Sequence, residues 1–428
     1  MNLNQWLKKI QAIHPVSWDL GLERVGEVAR RMDILKPARQ VFLIAGTNGK
    51  GSTCEMLAQL CQVRDLSYGK TTSPYLLRYN EQFVINGEEV ADRVIVNAFE
   101  KIDAARTNIS LTYFEFSALA ALFIFKQEKL DVAILEIGLG GRLDAMNIVD
   151  VDVSIITRIA IDHEEWLGSN REDIAREKAG IYRQGRPCII VDSNPPKSLF
   201  EEAINHQVDV KFLGRDFFCD ANKLSLGDKE FEIPAGKLPA SCILAAVVAF
   251  ITGQGIITQD NINEAVLRAE LPGRYQKIHQ KSPKGQDLIV IMDVAHNPDA
   301  AKYLLNSLQD DGISHVQAVV GMYRDKDIDQ VFNILSPIVR EWHFPVLDNE
   351  RANAPEKLSA HLYGCCGLEG ITYDTVSAAY NAALDGIDRV PNKALSNTGL
   401  LNKETGVILV FGSFSIVAAM LLQLNLEK

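Results

Sequence analysis

The sequence predicts an α/β protein, a mostly parallel sheet built around a phosphate-binding loop and followed by a smaller α/β unit of Rossmann-like pattern. Three observations predict it. Val41-Phe-Leu-Ile-Ala-Gly-Thr-Asn-Gly-Lys-Gly-Ser-Thr53 runs from a short apolar strand through a glycine-rich turn into an amphipathic helix. Strands and helices then alternate from 41 to 192, the signature of a parallel sheet. A fresh alternation opens with Leu288-Ile-Val-Ile-Met292 and closes in a helix from about 414 to 424. At 428 residues the chain exceeds one compact domain, and the boundary is expected near 280, giving 1–280 and 281–428.

The glycine-rich turn carries the chemistry. Backbone N–H groups at a helix start attract anionic oxygens, Lys50 neutralises their charge, and the hydroxyl of Ser52 or Thr53 can hold Mg²⁺. Thr47, Asn48, Gly49, Lys50, Gly51, Ser52 and Thr53 are therefore the candidate nucleotide-binding residues. The spacing differs from the commonest phosphate-loop pattern, whose first glycine would fall where this chain has Ile44.

Composition narrows the class. The net charge of −11 argues against a nucleic-acid partner but is compatible with a nucleotide or an acidic small substrate. Met1 to Lys9 has no long apolar core and no cleavage signature, and the longest apolar run, Cys242 to Ile251, is far short of a membrane span. Seven cysteines without a CxxC pair suit a reducing, cytoplasmic setting, and adjacent Cys365 and Cys366 read as two small core thiols rather than a redox pair. A monomer without membrane contact is expected.

In order, residues 1 to 40 look mostly helical, interrupted around Leu20 to Val25, with Asp19 the expected N-cap of the second helix. A strand from Tyr68 to Thr72 ends at Ser73-Pro74, which puts Ser73 on a loop. Helices are expected over Asp92 to Ala105 and Leu111 to Phe125, with Thr112 and Glu115 at the start of the second. Val132 to Ile137 is a strand in which Glu136 is out of place; a buried carboxylate needs a partner, and a metal ion is one of few good ones. The following Gly138-Leu-Gly-Gly-Arg-Leu-Asp144 lacks the third glycine of a dinucleotide fingerprint, where Leu143 stands. After a strand from Val153 to Thr157, His163 is a candidate metal ligand. A helix from Asn170 to Tyr182 carries Lys178, and Cys188 to Val191 is the next strand. Val208 to Leu213, Phe217-Phe218 and Glu230 to Ile233 look like short antiparallel strands, and helices are expected at 239–252 and 258–269. Ser282 to Asp287 looks like a linker or hairpin turn. In the second unit, Asp293 and His296 follow a strand where open α/β sheets bind ligands, and further strands fall near 316–321, 341–344 and 407–411.

Taken together, Gly46-Thr-Asn-Gly-Lys-Gly-Ser52, Ser73-Pro74, Leu135-Glu-Ile-Gly-Leu-Gly-Gly-Arg-Leu-Asp144, His163, Arg176-Glu-Lys-Ala-Gly180, Pro272-Gly-Arg274 and Asp293-Val-Ala-His-Asn-Pro298 resemble folylpolyglutamate synthase. With Leu111-Thr-Tyr-Phe-Glu115, the chain looks like the bacterial bifunctional form that is also a dihydrofolate synthase. The resemblance runs in order from about residue 19 to 420.

It implies a Mur-ligase-type central ATPase domain plus a Rossmann-like C-terminal ligase domain that could close over the phosphates. It implies ATP-dependent ligation of L-glutamate to dihydropteroate or reduced folates through an acyl phosphate, with ATP and Mg²⁺ required. Lys50 and the loop would hold ATP, with Arg274 and Asp293. Ser73, Glu136 and His163 would ligate Mg²⁺, with Ser52 near the first ion and Lys178 joining if carbamylated. His296 would act near the acyl phosphate or glutamate. Leu20, Gly21, Leu22, Glu23, Thr112, Tyr113, Phe114, Glu115, Leu143, Asp144 and Ala145 would face the pterin. Tyr75 and Ser415 stand where the family commonly has histidines, and Ser241 lies where a family asparagine is absent. The rival readings are a monofunctional folylpolyglutamate synthase and another Mur-type amino-acid ligase. A cell-wall ligase would need a UDP-sugar module for which the 40 residues before the loop are too few, and a GTPase would need an Asn-Lys-x-Asp motif that is missing.

Overall fold

The computed structural model describes residues 1–16, 19–389 and 406–424. They divide into two units, Met1–Leu271 and Pro272–Lys428.

The first unit is organised on an eight-stranded sheet made of β1 (Gln40–Ala45), β2 (Tyr68–Thr71), β3 (Val84–Ile85), β4 (Glu88–Glu89), β5 (Val132–Glu136), β6 (Val153–Ile156), β7 (Pro187–Ile190) and β8 (Asp209–Phe212). Its spatial order is β4-β3-β2-β5-β1-β6-β7-β8. From β2 to β8 all pairings are parallel, and β3 and β4 add an antiparallel edge. A parallel sheet covered on both faces needs apolar residues on both, so β1 reads as a continuous apolar run. Val41, Leu43 and Ala45 enter one core, shared with helices Leu3–Gln11, Glu23–Arg31, Asp92–Arg106 and Tyr113–Glu128. Phe42 and Ile44 enter the other, shared with Lys50–Val63, Ala240–Gln254 and Gln259–Arg268. From β1 the chain crosses to β2 on one side and later fills β6 on the other, so the ligand crevice of such a sheet falls at the carboxyl end of β1.

Two expectations for this unit need correction, and two elements are additional to those expected. Asp19 does not cap the second helix. The N-cap is Leu22, and the Asp19 carboxylate is instead drawn to Arg24 at 2.6 Å and to His14 at 3.1 Å. The segment 209–212 is not antiparallel: β8 extends the main sheet in parallel with β7. The antiparallel trio is β9 (Phe217–Asp220), β10 (Lys223–Leu226) and β11 (Lys229–Glu232), of which β10 was not anticipated. Helix Lys197–Asn205 was also not anticipated.

The second unit holds a six-stranded sheet of β12 (Gln276–Lys281), β13 (Asp287–Asp293), β14 (Val316–Val320), β15 (Val339–Pro345), β16 (Ile371–Tyr373) and β17 (Gly406–Phe411), ordered β12-β13-β17-β14-β15-β16. All pairs are parallel except β12 with β13, so 282–286 is a hairpin turn. The strand β12, which crosses the boundary expected near 280, belongs to this sheet.

Candidate active site

The glycine-rich loop follows β1 with no room for side chains at Gly46 and Gly49. At Gly46 (φ +150°) a Cβ would lie 1.7 Å from the hydroxyl of Thr157, and at Gly49 (φ +90°) 2.8 Å from the Cys242 sulfur. Residues distant in sequence, with Thr53 of the following helix, hold the loop. The Thr157 hydroxyl donates to the Asn48 carbonyl (2.8 Å), and the Cys242 thiol and Thr53 hydroxyl donate to that of Gly49 (3.5 and 2.9 Å). Thr47 is fixed by three bonds: its N–H donates to Arg158 O (2.8 Å), and its hydroxyl donates to Ala160 O (2.9 Å) while accepting from Ala160 N–H (3.1 Å). Gly49 caps helix Lys50–Val63 with no side-chain hydrogen bond, so the first N–H groups of that helix lack a partner inside it and suit an anion.

Two lysines converge on one loop carbonyl. Lys50 donates to Gly46 O at 3.2 Å and to Thr47 O at 3.4 Å, and Lys178 donates to the same Gly46 O at 2.9 Å. Lys178 is 3% exposed, and burial together with the nearby Lys50 charge brings its pKa from 10.5 down to about 7. Glu136 ends β5 beside β1, buried, with one oxygen 4.0 Å from the Lys50 ammonium and the other accepting the Ser73 N–H at 3.2 Å. Ser52 is buried at the helix start. His163 lies in the segment after β6, in the left-handed conformation (φ +53°), at the N-cap of the short helix Glu164–Leu167.

Among the described residues no three His, Cys, Asp or Glu side chains gather as a metal-binding group. Mg²⁺ does not ask for one: it keeps several waters and takes one or two carboxylates plus substrate phosphates. A single buried carboxylate beside hydroxyls and a phosphate loop fits that chemistry.

The residues assigned to the pterin form two linked groups. A Cβ at Gly138 would lie 2.6 Å from the Phe114 ring and 3.3 Å from Asp144, so that glycine brings the two side chains together. Asp144 is buried, accepts the N–H groups of Leu139 (2.8 Å) and Met146 (2.9 Å), and is pushed up to about 6 by burial. Leu143 is half-buried and Ala145 buried on either side of it. Thr112 and Glu115 form a reciprocal capping box for helix Tyr113–Glu128. The other Glu115 oxygen accepts from Arg24 at 3.2 Å, which ties the Leu20, Gly21, Leu22 and Glu23 segment to this helix. Arg24 was not anticipated, since nothing local in the sequence links it to a residue 91 positions away. The Tyr113 ring meets Tyr79 edge-on at 5.9 Å, and Tyr79 meets Tyr75 at 5.8 Å.

In the second unit Asp293 ends β13, buried, accepting the N–H groups of Tyr275 (2.7 Å) and Ala295 (2.8 Å). Burial raises its pKa, against the opposing effect of Arg274 and those hydrogen bonds. The Arg274 guanidinium lies 5.3 Å over the Phe414 ring. His296 Nδ1 sits 2.7 Å from Val294 O, which makes Nδ1 the donor in the neutral ring and leaves Nε2 as the acceptor. Ser415 accepts from Asn349 (2.9 Å) and shares a 2.9 Å hydrogen bond with Tyr323.

Residues 44–233 match the Mur ligase middle domain, and residues 273–414 match the Mur ligase glutamate ligase domain. The dihydrofolate synthase/folylpolyglutamate synthase of Escherichia coli (strain K12) is 38% identical over 429 residues, covering 97% of this chain and 94% of that protein. The structure of E. coli FolC in complex with DHPP and ADP superposes with a TM-score of 0.90 at 36% identity, covering 100% of this chain and 98% of that one. A bifunctional folylpolyglutamate synthase/dihydrofolate synthase with Mn, AMPPNP and L-glutamate bound superposes with a TM-score of 0.88 at 37% identity, covering 99% and 98%. No described helix is long and apolar enough to cross a membrane.

Proposed function

The chain belongs to the dihydrofolate synthase/folylpolyglutamate synthase family of Mur ligases, and from that premise we propose how its own residues perform the reaction. It is an ATP-dependent ligase that joins L-glutamate to dihydropteroate, giving dihydrofolate, and to folates, lengthening their glutamate tail. A carboxylate oxygen of the acceptor attacks the γ-phosphorus of ATP and ADP leaves. The glutamate amine then attacks the acyl carbon, its proton is lost, and inorganic phosphate departs with the C–O bond.

The protein's part is positioning and charge neutralisation. Lys50 exchanges its long contacts with Gly46 and Thr47 for the phosphate oxygens, and the N–H groups of residues 49 to 52, with Thr47, Asn48 and Thr53, line the anion. Glu136, Ser73 and His163, with Ser52 and a carbamylated Lys178, would hold Mg²⁺, which supplies charge neutralisation to the triphosphate. Lys178 is suited to carbamylation because a pKa of about 7 leaves much of the amine neutral, and only the neutral amine adds CO₂. Phe114 and Asp144 at Gly138 supply an apolar wall and a carboxyl for the pterin. Arg274 and Asp293 are assigned to ATP, and His296 to the acyl phosphate or glutamate. The enzyme acts as a cytoplasmic monomer on small molecules, not on nucleic acid.

The observation that carries this assignment is the convergence of Lys50 and Lys178 on the Gly46 carbonyl, at a point where Thr157 leaves no room for a side chain. It is tested by ADP release with Mg²⁺-ATP, L-glutamate and either dihydropteroate or a reduced folate, with Lys50→Ala as control. Turnover with both acceptors, lost in the variant, is expected. Turnover with folate alone removes the dihydropteroate half, and unchanged turnover in the variant overturns the loop assignment.

A further inference from the structure

A polar strut made of a buried aspartate and a half-buried arginine lies on the far side of the segment that fixes Thr47. Asp192, two residues past β7 and 3% exposed, accepts the Ile159 N–H at 2.8 Å and the Asn194 N–H at 2.9 Å. Arg171 donates through Nε to Ile159 O (2.8 Å) and through Nη2 to Asp192 (2.9 Å) and to Asn194 O (2.9 Å). Both backbone groups of Ile159 are therefore held by this pair, while both of its neighbour Ala160 are held by Thr47.

The segment is thus clamped between the phosphate loop and the Arg171–Asp192 pair, and it continues directly to His163. Arg171 is also the first residue of helix Arg171–Ala179, whose last turn carries Lys178. Lys178 reaches Gly46, next to Thr47, from that end. One guanidinium and one carboxylate so connect three parts: the loop at Thr47, the chain leading to His163, and the helix of Lys178. Backbone hydrogen bonds to charged groups are stronger and more directional than neutral ones, which suits a pair that must fix the register of a loop.

We infer that Arg171 and Asp192 are positioning residues for the nucleotide site, acting through Ile159 and Thr47 without touching substrate. The inference rests on the assignment of residues 46 to 53 to ATP. Losing either side chain weakens the hold on Ile159 and with it the far side of the 158–160 segment that grips Thr47, so the loop spends part of its time away from the shape that binds phosphate. The loss falls on nucleotide affinity more than on turnover of bound substrate.

The test uses the full chain with Arg171→Met, Asp192→Asn, the double variant, and Arg268→Met as a control on an exposed helix ion pair with Glu264. ADP affinity is measured by calorimetry in the presence of a chelator, alongside KM for ATP, kcat and the thermal melt. Each single change is expected to weaken ADP about tenfold and raise KM for ATP in step, with kcat within about threefold. The double variant is expected to be no weaker than the worse single one, because the two side chains act as a unit. If Arg171→Met does not fold, Arg171→Lys, which keeps the charge but not the fork, must show an intermediate loss. Unchanged ADP affinity in folded variants, whatever the melt does, overturns the inference. Lys50→Ala separates the layers: if it too leaves ADP affinity unchanged, the loop assignment itself falls.

Discussion

Lys70 and Lys178 are both buried in the first unit, at 8% and 3% exposure, but the two regions treat their charge in opposite ways. Lys70, on β2, pairs with Glu55 of helix Lys50–Val63, whose other oxygen accepts from Gln59 at 2.7 Å. There an ammonium and a carboxylate neutralise each other and bind a helix to the sheet. Lys178 donates to a carbonyl, and burial, together with the Lys50 ammonium, outweighs the pull of Asp162, Asp144 and Glu177, so its pKa falls to about 7. A buried lysine in direct contact with a carboxylate becomes part of the frame, whereas Lys178, whose hydrogen bond goes to a carbonyl, has its charge disfavoured despite those more distant carboxylates.

The strongest way to break this contrast is to unpair Lys70. Glu55→Leu or Lys70→Met alone leaves a buried charge uncompensated and is expected to cost roughly 3–5 kcal/mol in chemical denaturation. The double replacement is expected to return close to wild-type stability. Equal losses in single and double variants would mean that packing, not charge, is at stake.

Lys178→Met is expected to do the reverse. The unfolded lysine titrates near 10.5 and the folded one near 7, so between those values the unfolded chain holds more protons and stability rises with pH. Below pH 7 the full penalty of burying the charge applies. In nucleotide- and metal-free protein the variant should therefore be more stable than wild type below pH 7. The gain is of order a few kcal/mol, because each tenfold loss of proton affinity on folding is worth about 1.4 kcal/mol. That gain should fade as pH approaches 10.5, while ligation is lost at least 100-fold. Thermal melts from pH 6 to 10 decide it, and a variant less stable than wild type at pH 6 would contradict the assignment.

A smaller effect sharpens the comparison from the carboxylate side. Glu115 is buried, and burial raises its pKa, but Thr112 and Arg24 occupy its oxygens, so it belongs to the frame as Lys70 does. Thr112→Ala is expected to cost about 1 kcal/mol of stability through the lost cap. A cost near zero would mean that the helix start is held by other contacts.

What could be read from the sequence was local. The phosphate loop announces itself through glycines, a lysine and hydroxyls within eight residues, and β1, β5 and β13 through unbroken apolar runs that only a doubly covered strand explains. Glu136 was legible for the same reason, as the wrong residue in such a run. The grip of Thr157 on Asn48, of Cys242 on Gly49 and of Arg24 on Glu115 was not legible, because each joins residues far apart in the chain. Strand β12 hid because its residues alternate between half-buried and exposed, as an edge strand's do. Strand β8 is recognisable as a strand but not by its partner, since four residues carry no record of what they pair with. Asp19 misled because an aspartate before a helix looks like a cap even when an arginine has already claimed it.

The contrast between the two lysines is tested most directly with carbon-13-labelled bicarbonate, watching for the carbamate carbonyl by NMR. A resonance is expected that grows as pH rises through about 7, survives in the Lys70→Met/Glu55→Leu double variant, and is absent from Lys178→Met. No resonance in wild type, or one that persists without Lys178, would contradict the assignment.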